Sequence, residues 1–244
     1  MTPGPEWLLV EDTLRRIEDA LNRHWEDLAR RFPEGALPKH RVGFSRRVTT
    51  SWALIYYRRR LVQLSPYVFL LDEHELSTGN HWRELDATLR HEMAHAVLYQ
   101  QGLQGHPPEF QGLLATLGVR ANGACDVGPV NPTFRYVYGC PACGNAWHRR
   151  TRLVGDWSCV HCSEGRFDPR FQMHLVEELP PPWERLRARA HILEACLREA
   201  EAALRRPAQP ALPRVPWGAA GEPASPASAK RGAGPKAPRA RRNA

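Results

Sequence analysis

His91, Glu92 and His95 stand in the run Thr88-Leu89-Arg90-His91-Glu92-Met93-Ala94-His95, an H-E-x-x-H pattern. Two imidazoles four residues apart on a helix lie on one face and can bind the same Zn²⁺, and the carboxylate beside the first can reach a water at the metal. That is the chemistry of a hydrolytic centre. With eleven His in the chain the pattern could also arise by chance, so its frame decides. Trp82, Leu85, Leu89, Met93 and Val97 recur at helical spacing through it and predict a buried helix over about 80–101, closed by Gly102. Catalytic zinc takes three protein ligands and keeps one position open. His106, in Gly105-His106-Pro107-Pro108-Glu109-Phe110, is the candidate third ligand, where the chain turns into another helix. Glu109 competes with it, since some zinc hydrolases complete the site with a carboxylate.

A second set of ligating residues lies downstream. Cys140-Pro141-Ala142-Cys143 and Cys159-Val160-His161-Cys162 are separated by fifteen residues, the spacing of a zinc ribbon. Four thiolates fill the coordination shell, so this Zn²⁺ would be structural and would hold a unit too small to bury its own core. Disulfides or a redox pair are the rival readings, and no secretory signal supports them. Cys125 and Cys196 read as ordinary buried thiols.

Composition narrows the class. The net charge of +8 lies mostly at the C-terminus, where seven basic residues stand against Glu222 over 207–244; the first 206 residues carry only +2. That stretch, rich in Pro, Ala, Ser and Gly, cannot bury enough apolar surface to fold and reads as a disordered basic tail suited to a polyanion. No run approaches the roughly eighteen apolar residues of a membrane span, and residues 1–6 lack the basic and apolar regions of a secretory leader. The expectation is a cytoplasmic protein with no membrane partner.

The remaining elements must position these residues. Leu14, Ile17, Leu21, Trp25, Leu28 and Phe32 mark a helix over about 12–32, stopped by Pro33. Short strands are predicted over 41–46, 51–57 and 61–64, with Arg58, Arg59 and Arg60 as a solvated hairpin tip rather than a nucleic-acid contact. Short helices follow at 66–71 and 107–117, and 118–132 reads as a linker. In the ribbon, Phe134, Tyr136 and Tyr138 alternate as one strand, with a second near 147–153; these aromatics read as a thin core before a base-stacking platform. Leu186, Ala190, Leu193, Leu197, Ala200 and Leu204 form an apolar stripe along a helix over 182–206, expected to dock back onto the first lobe. The fold class is α+β, with units at 8–122, 133–172 and 180–206 followed by the tail.

Over 12–171 the chain resembles the SprT-like (Spartan-type) zinc metalloprotease family. The likeness rests on the N-terminal helix, the strand ending Val62-Gln63-Leu64-Ser65, the run His91-Glu92-Met93-Ala94-His95-Ala96, the segment His106-Pro107-Pro108-Glu109-Phe110 and the C-x2-C-x15-C-x2-C ribbon. It implies a zincin-like lobe, zinc-ligand roles for His91, His95 and His106, and the catalytic role for Glu92. In the family the third His is typically followed by Gly, whereas here Gly105 precedes it and Pro107 follows. Relatives that couple the protease lobe to DNA-binding elements digest proteins crosslinked to DNA, so the resemblance implies a protein substrate and, through ribbon and tail, a nucleic-acid partner. Tyr56, Tyr57 and His81 are conceivable oxyanion donors, with packing or a surface position the simpler reading of each. The alternatives are a non-catalytic zinc-dependent nucleic-acid-binding protein, against which Glu92 argues, and a hydrolase without nucleic acid.

Overall fold

The computed structural model describes residues 5–33, 36–119 and 132–206, a mixed α+β architecture with two small sheets. Helix α1 (Pro5–Ala29) starts earlier than its apolar stripe. Pro5 suits a first turn because its missing N–H would have no helical partner. Ile17, Leu21 and Trp25 on its inner face are fully buried. Strands β1 (Arg41–Phe44), β2 (Ala53–Tyr56) and β3 (Leu61–Leu64) form a sheet in the order β1-β3-β2, with β3 parallel to β1 and antiparallel to β2. Val62 and Leu64 of the central strand are buried, while Arg58, Arg59 and Arg60 sit exposed at the turn before it. Where a helix was expected after β3, the chain makes a 3-10 turn over Pro66–Leu70.

Helix α2 (His81–Gln100) carries the motif and follows the predicted boundaries to within a residue. The Asn80 side chain accepts from the Arg83 N–H at its start. At its end Gly102 adopts φ +76°, which lets the Gly102 and Leu103 amides return to the carbonyls of Tyr99 and Leu98. Thirteen of its twenty residues are buried, among them the charged Glu84. Burial of a carboxylate demands partners, and Glu84 accepts from Ser77 Oγ (2.8 Å), the Thr78 N–H (3.1 Å) and Thr78 Oγ1 (3.0 Å). Asp86 accepts from Arg90 Nε at 2.7 Å and lies 2.6 Å from His24 Nε2 of α1, while Arg90 Nη1 donates to the Leu117 carbonyl at 2.8 Å. These bonds clamp α1, α2 and the end of α3 (Pro108–Thr116) together.

The C-terminal stripe forms two helices rather than one, α4 (Pro182–Arg187) and α5 (Ala190–Leu204). Arg189 leaves helical geometry between them, and its guanidinium donates to the Leu71 carbonyl (3.0 Å) and to Asp72 Oδ1 (2.8 Å). The expected docking is observed: Leu186, Leu193, Cys196, Leu197 and Ala200 are buried in one cluster with Ile17, Leu21 and Trp25.

Between α3 and α4 lies the second sheet, with β4 (Tyr136–Gly139) central and β5 (Ala146–Arg149) and β6 (His174–Glu178) antiparallel on either side. Its core is small, formed by Tyr138, Cys140, Cys159 and Met173. Tyr138 is buried and its hydroxyl accepts from the Leu153 N–H, so the core reading of this aromatic holds. The sheet meets the first lobe through Arg150 Nη1, which donates to Thr49 Oγ1 at 2.7 Å. Arg185 of α4 donates to the carbonyls of Pro132 (2.6 Å) and Phe134 (2.9 Å). Cys125, most of the expected linker and the basic tail lie outside the described residues. Among the described residues no helix is long and apolar enough to cross a membrane.

Because Leu193 is fully buried against α1, Leu193→Ala should cost about 2–5 kcal/mol. Chemical denaturation followed through the tryptophans checks this; a loss near zero would show that α5 does not belong to the cooperative core.

Candidate metal centres

His91 and His95 project from one face of α2, as a four-residue spacing requires. The third imidazole arrives through a reversal. Gly102 and Gly105 both take left-handed φ values, +76° and +72°, and bring His106 back over the helix just before Pro107 and Pro108 start α3. The residue that precedes His106 here, rather than one that follows it, therefore supplies the turn. Phe110, fully buried in α3, lies with its ring centroid 4.8, 4.6 and 4.4 Å from those of His91, His95 and His106. It is the apolar backing that fixes all three rings.

The resulting spacing suits a metal. His95 Nε2 lies 3.1 Å from His91 Nε2 and 3.2 Å from His106 Nε2. Zn–N bonds of about 2.0–2.1 Å in a tetrahedron put neighbouring nitrogens about 3.3 Å apart. Lone pairs converging on one point repel one another unless a proton or a cation sits among them. His91, His95 and His106 form a group able to hold a metal ion; Glu109, the rival ligand, is exposed and is not part of it. Burial falls from His91 through His95 to the exposed His106, so the cluster opens toward solvent on the His106 side.

Electrostatics favour the same use. Burial, then the neighbouring His95 and His106, push His91 down to about 3; burial and His106 push His95 down to about 4. Both imidazoles are thus neutral at physiological pH, the form that ligates. Glu92, only 6% exposed, is raised by burial to about 7, poised to exchange a proton near neutrality.

The four cysteines also converge. Cys143 Sγ lies 3.7 Å from Cys159 Sγ, and Cys140 Sγ lies 4.0 Å from Cys162 Sγ. Zn–S bonds of about 2.3 Å predict tetrahedral edges of about 3.8 Å. The two knuckles share a design: the Gly144 amide returns to the Cys140 carbonyl, and the Ser163 amide to that of Cys159. The backbone N–H groups of Cys143 and Ala142 hold the Cys140 thiol down, to about 7. Cys196 stands apart, a buried thiol whose burial pushes it far above the usual range.

Of the three conceivable oxyanion donors, His81 bonds to the Leu71 carbonyl beside Phe69, ten residues before His91, about 15 Å along the helix. Tyr56 is exposed on the far side of β2, in a groove with Arg47, Leu54 and Gln63. Tyr57 lies flat against Tyr99 of α2, ring centroids 4.0 Å apart and planes 3° from parallel. Tyr99 belongs to no motif, although its position four residues beyond His95 puts it on the same face of α2 as His91 and His95.

The model of the SprT-like family matches residues 19–128, a stretch that contains His91, Glu92, His95 and His106 and ends before the four clustered cysteines. No curated protein and no solved structure matches the chain.

In the metal-free chain the neutral imidazoles favour the folded state at pH 7. Because their folded pKa values lie below the unfolded 6.5, that contribution is lost as pH falls from about 6.5 toward 3. Histidine NMR titration of chelator-treated protein should place the His91 and His95 midpoints well below 6. Midpoints near 6.5 for both would contradict the burial that orders this site.

Proposed function

We propose that this chain, whose residues 19–128 match the model of the SprT-like family, is a zinc-dependent metalloprotease with a zincin-like lobe, acting on proteins associated with or crosslinked to DNA. The family points to metallopeptidase-type activity. The observation that carries the reading to this chain is the near-tetrahedral spacing of His91, His95 and His106 beside the buried Glu92.

His91, His95 and His106 would hold a catalytic Zn²⁺, and Cys140, Cys143, Cys159 and Cys162 a structural one. When bound, the catalytic ion supplies Lewis acidity, which acidifies water and polarises a carbonyl. Glu92 takes the proton from the attacking water and passes it to the leaving amine. In the metal-free chain burial raises this carboxyl to about 7, which favours its taking up a proton. Phe110 backs the rings, and the exposed His106 side offers the approach for a polypeptide.

Support for a nucleic-acid partner comes from the ribbon surface. Arg149 and Arg166 are exposed there, together with Trp157 and Phe167, while Arg150 bonds Thr49 and Arg152 pairs with Glu178. Cations for phosphates beside rings for bases are the means by which single strands are held without sequence preference. Phe134, Tyr136 and Tyr138 contribute less, since they are partly or fully buried.

The parent should contain about two zinc ions per chain, with one lost in His95→Ala and one in Cys159→Ser. Glu92→Gln should keep both and cleave an unfolded protein about 10²–10⁴-fold more slowly. Single-stranded DNA should stimulate the parent. Equal cleavage by Glu92→Gln would remove Glu92 as the base, and salt-sensitive DNA binding without cleavage in zinc-loaded parent would replace the protease with a binding protein.

A further inference from the structure

The zinc-ligand set and Glu92 leave one requirement of peptide hydrolysis unassigned: a donor for the oxygen that gains charge when water adds to the carbonyl. We propose that Tyr57 is this donor, its phenol O–H hydrogen-bonding the carbonyl oxygen of the scissile peptide as the tetrahedral intermediate forms. The assignment rests on the protease reading above.

Placement comes first. β2 ends at Tyr56, and Tyr57 opens the 3-10 turn Tyr57–Arg59 that leads back to β3 through Arg60, at φ +48°. The turn carries Tyr57 onto α2, where its ring stacks on Tyr99. His91, His95 and Tyr99 recur every four residues, on one face. Tyr99 is therefore about 6 Å beyond His95 along the axis, and the ring stacked on it lies at the end of α2 next to the histidine cluster. A near-parallel stack at 4.0 Å leaves the Tyr57 ring little freedom to turn, as a pre-set donor requires.

Chemistry agrees with placement. Tyr57 is half-buried, and among the described residues its hydroxyl makes no hydrogen bond. Burial raises its pKa, and the Glu92 carboxylate adds to the rise, so the two groups act on each other across the same space. The phenol thus keeps its proton at neutral pH and has it to share. Tyr56 and His81, the other two residues considered, face away or are bonded elsewhere.

The step balances without a further reactant. Water oxygen bonds to the carbonyl carbon while the C=O π pair moves onto oxygen, and Glu92 takes the water proton. Tyr57 donates a hydrogen bond to that oxygen and keeps its own proton. The oxygen pair then re-forms the C=O bond, the C–N bond breaks, and Glu92 returns the proton to the amine.

Tyr57→Phe keeps the stacked ring and removes only the hydroxyl, so full-length zinc-loaded protein is the material to test. Expected are an unchanged metal content, a kcat lowered about 10²-fold or more and a KM within about threefold. Binding of a phosphinic peptide, which imitates the tetrahedral intermediate, should weaken at least about tenfold by calorimetry. Tyr56→Phe should behave as the parent does. Parent-like kcat and phosphinate affinity in Tyr57→Phe would overturn the assignment while leaving the protease reading intact. A parent that neither cleaves protein nor binds the phosphinate would overturn the protease reading, and Tyr57 with it.

Discussion

Polar groups taken out of water must be repaid with partners, and α2 is where this constraint presses hardest. The helix runs through the core, yet it carries Glu84, Asp86, His91, Glu92 and His95. For the first two the chain supplies the partners itself. Ser77 and Thr78 satisfy Glu84; Arg90 and His24 satisfy Asp86. His91 and His95 find one another and His106, nitrogen against nitrogen, which is no answer for three acceptors. The surrounding fold holds that shortage in place. Asp86 and Arg90 fasten α1 and α3 to α2, and α3 carries Phe110 against all three rings.

Much of this was legible because it is local. Asn80 and Gly102 delimit α2 through a side-chain acceptor and a left-handed residue, both of which act within one turn of the helix. The H-E-x-x-H spacing and the two C-x-x-C knuckles encode their geometry within four residues. Which downstream side chain would join His91 and His95 was harder to read. His106 and Glu109 are three positions apart, and the choice depends on the successive positive φ angles of Gly102 and Gly105, which together decide where the chain points on its return.

What stayed hidden depends on distant partners. Strand β6 has no alternation to announce it, since every one of its residues is exposed; it exists because β4 offers an edge. No Pro or Gly marks the break between α4 and α5. It comes at Arg189, whose guanidinium reaches the Leu71 carbonyl and Asp72, more than a hundred residues earlier. The Tyr57 and Tyr99 stack joins a hairpin turn to α2, and neither residue alone predicts the other.

The order of the elements carries a topological consequence. The chain leaves the first lobe after α3, builds the four-cysteine unit and then re-enters the same core through α4 and α5, beyond the residues matched to the family. The ribbon is thus a bight in the lobe's own chain, anchored at both ends. A body held by two tethers can rock but cannot swing freely, and Arg150 on Thr49 and Arg185 on the Pro132 and Phe134 carbonyls restrict even the rocking. A single backbone cut between residues 119 and 132 would not set it free, because α5 would still be packed on α1. The four-cysteine unit is thereby held at a nearly constant bearing to the three histidines.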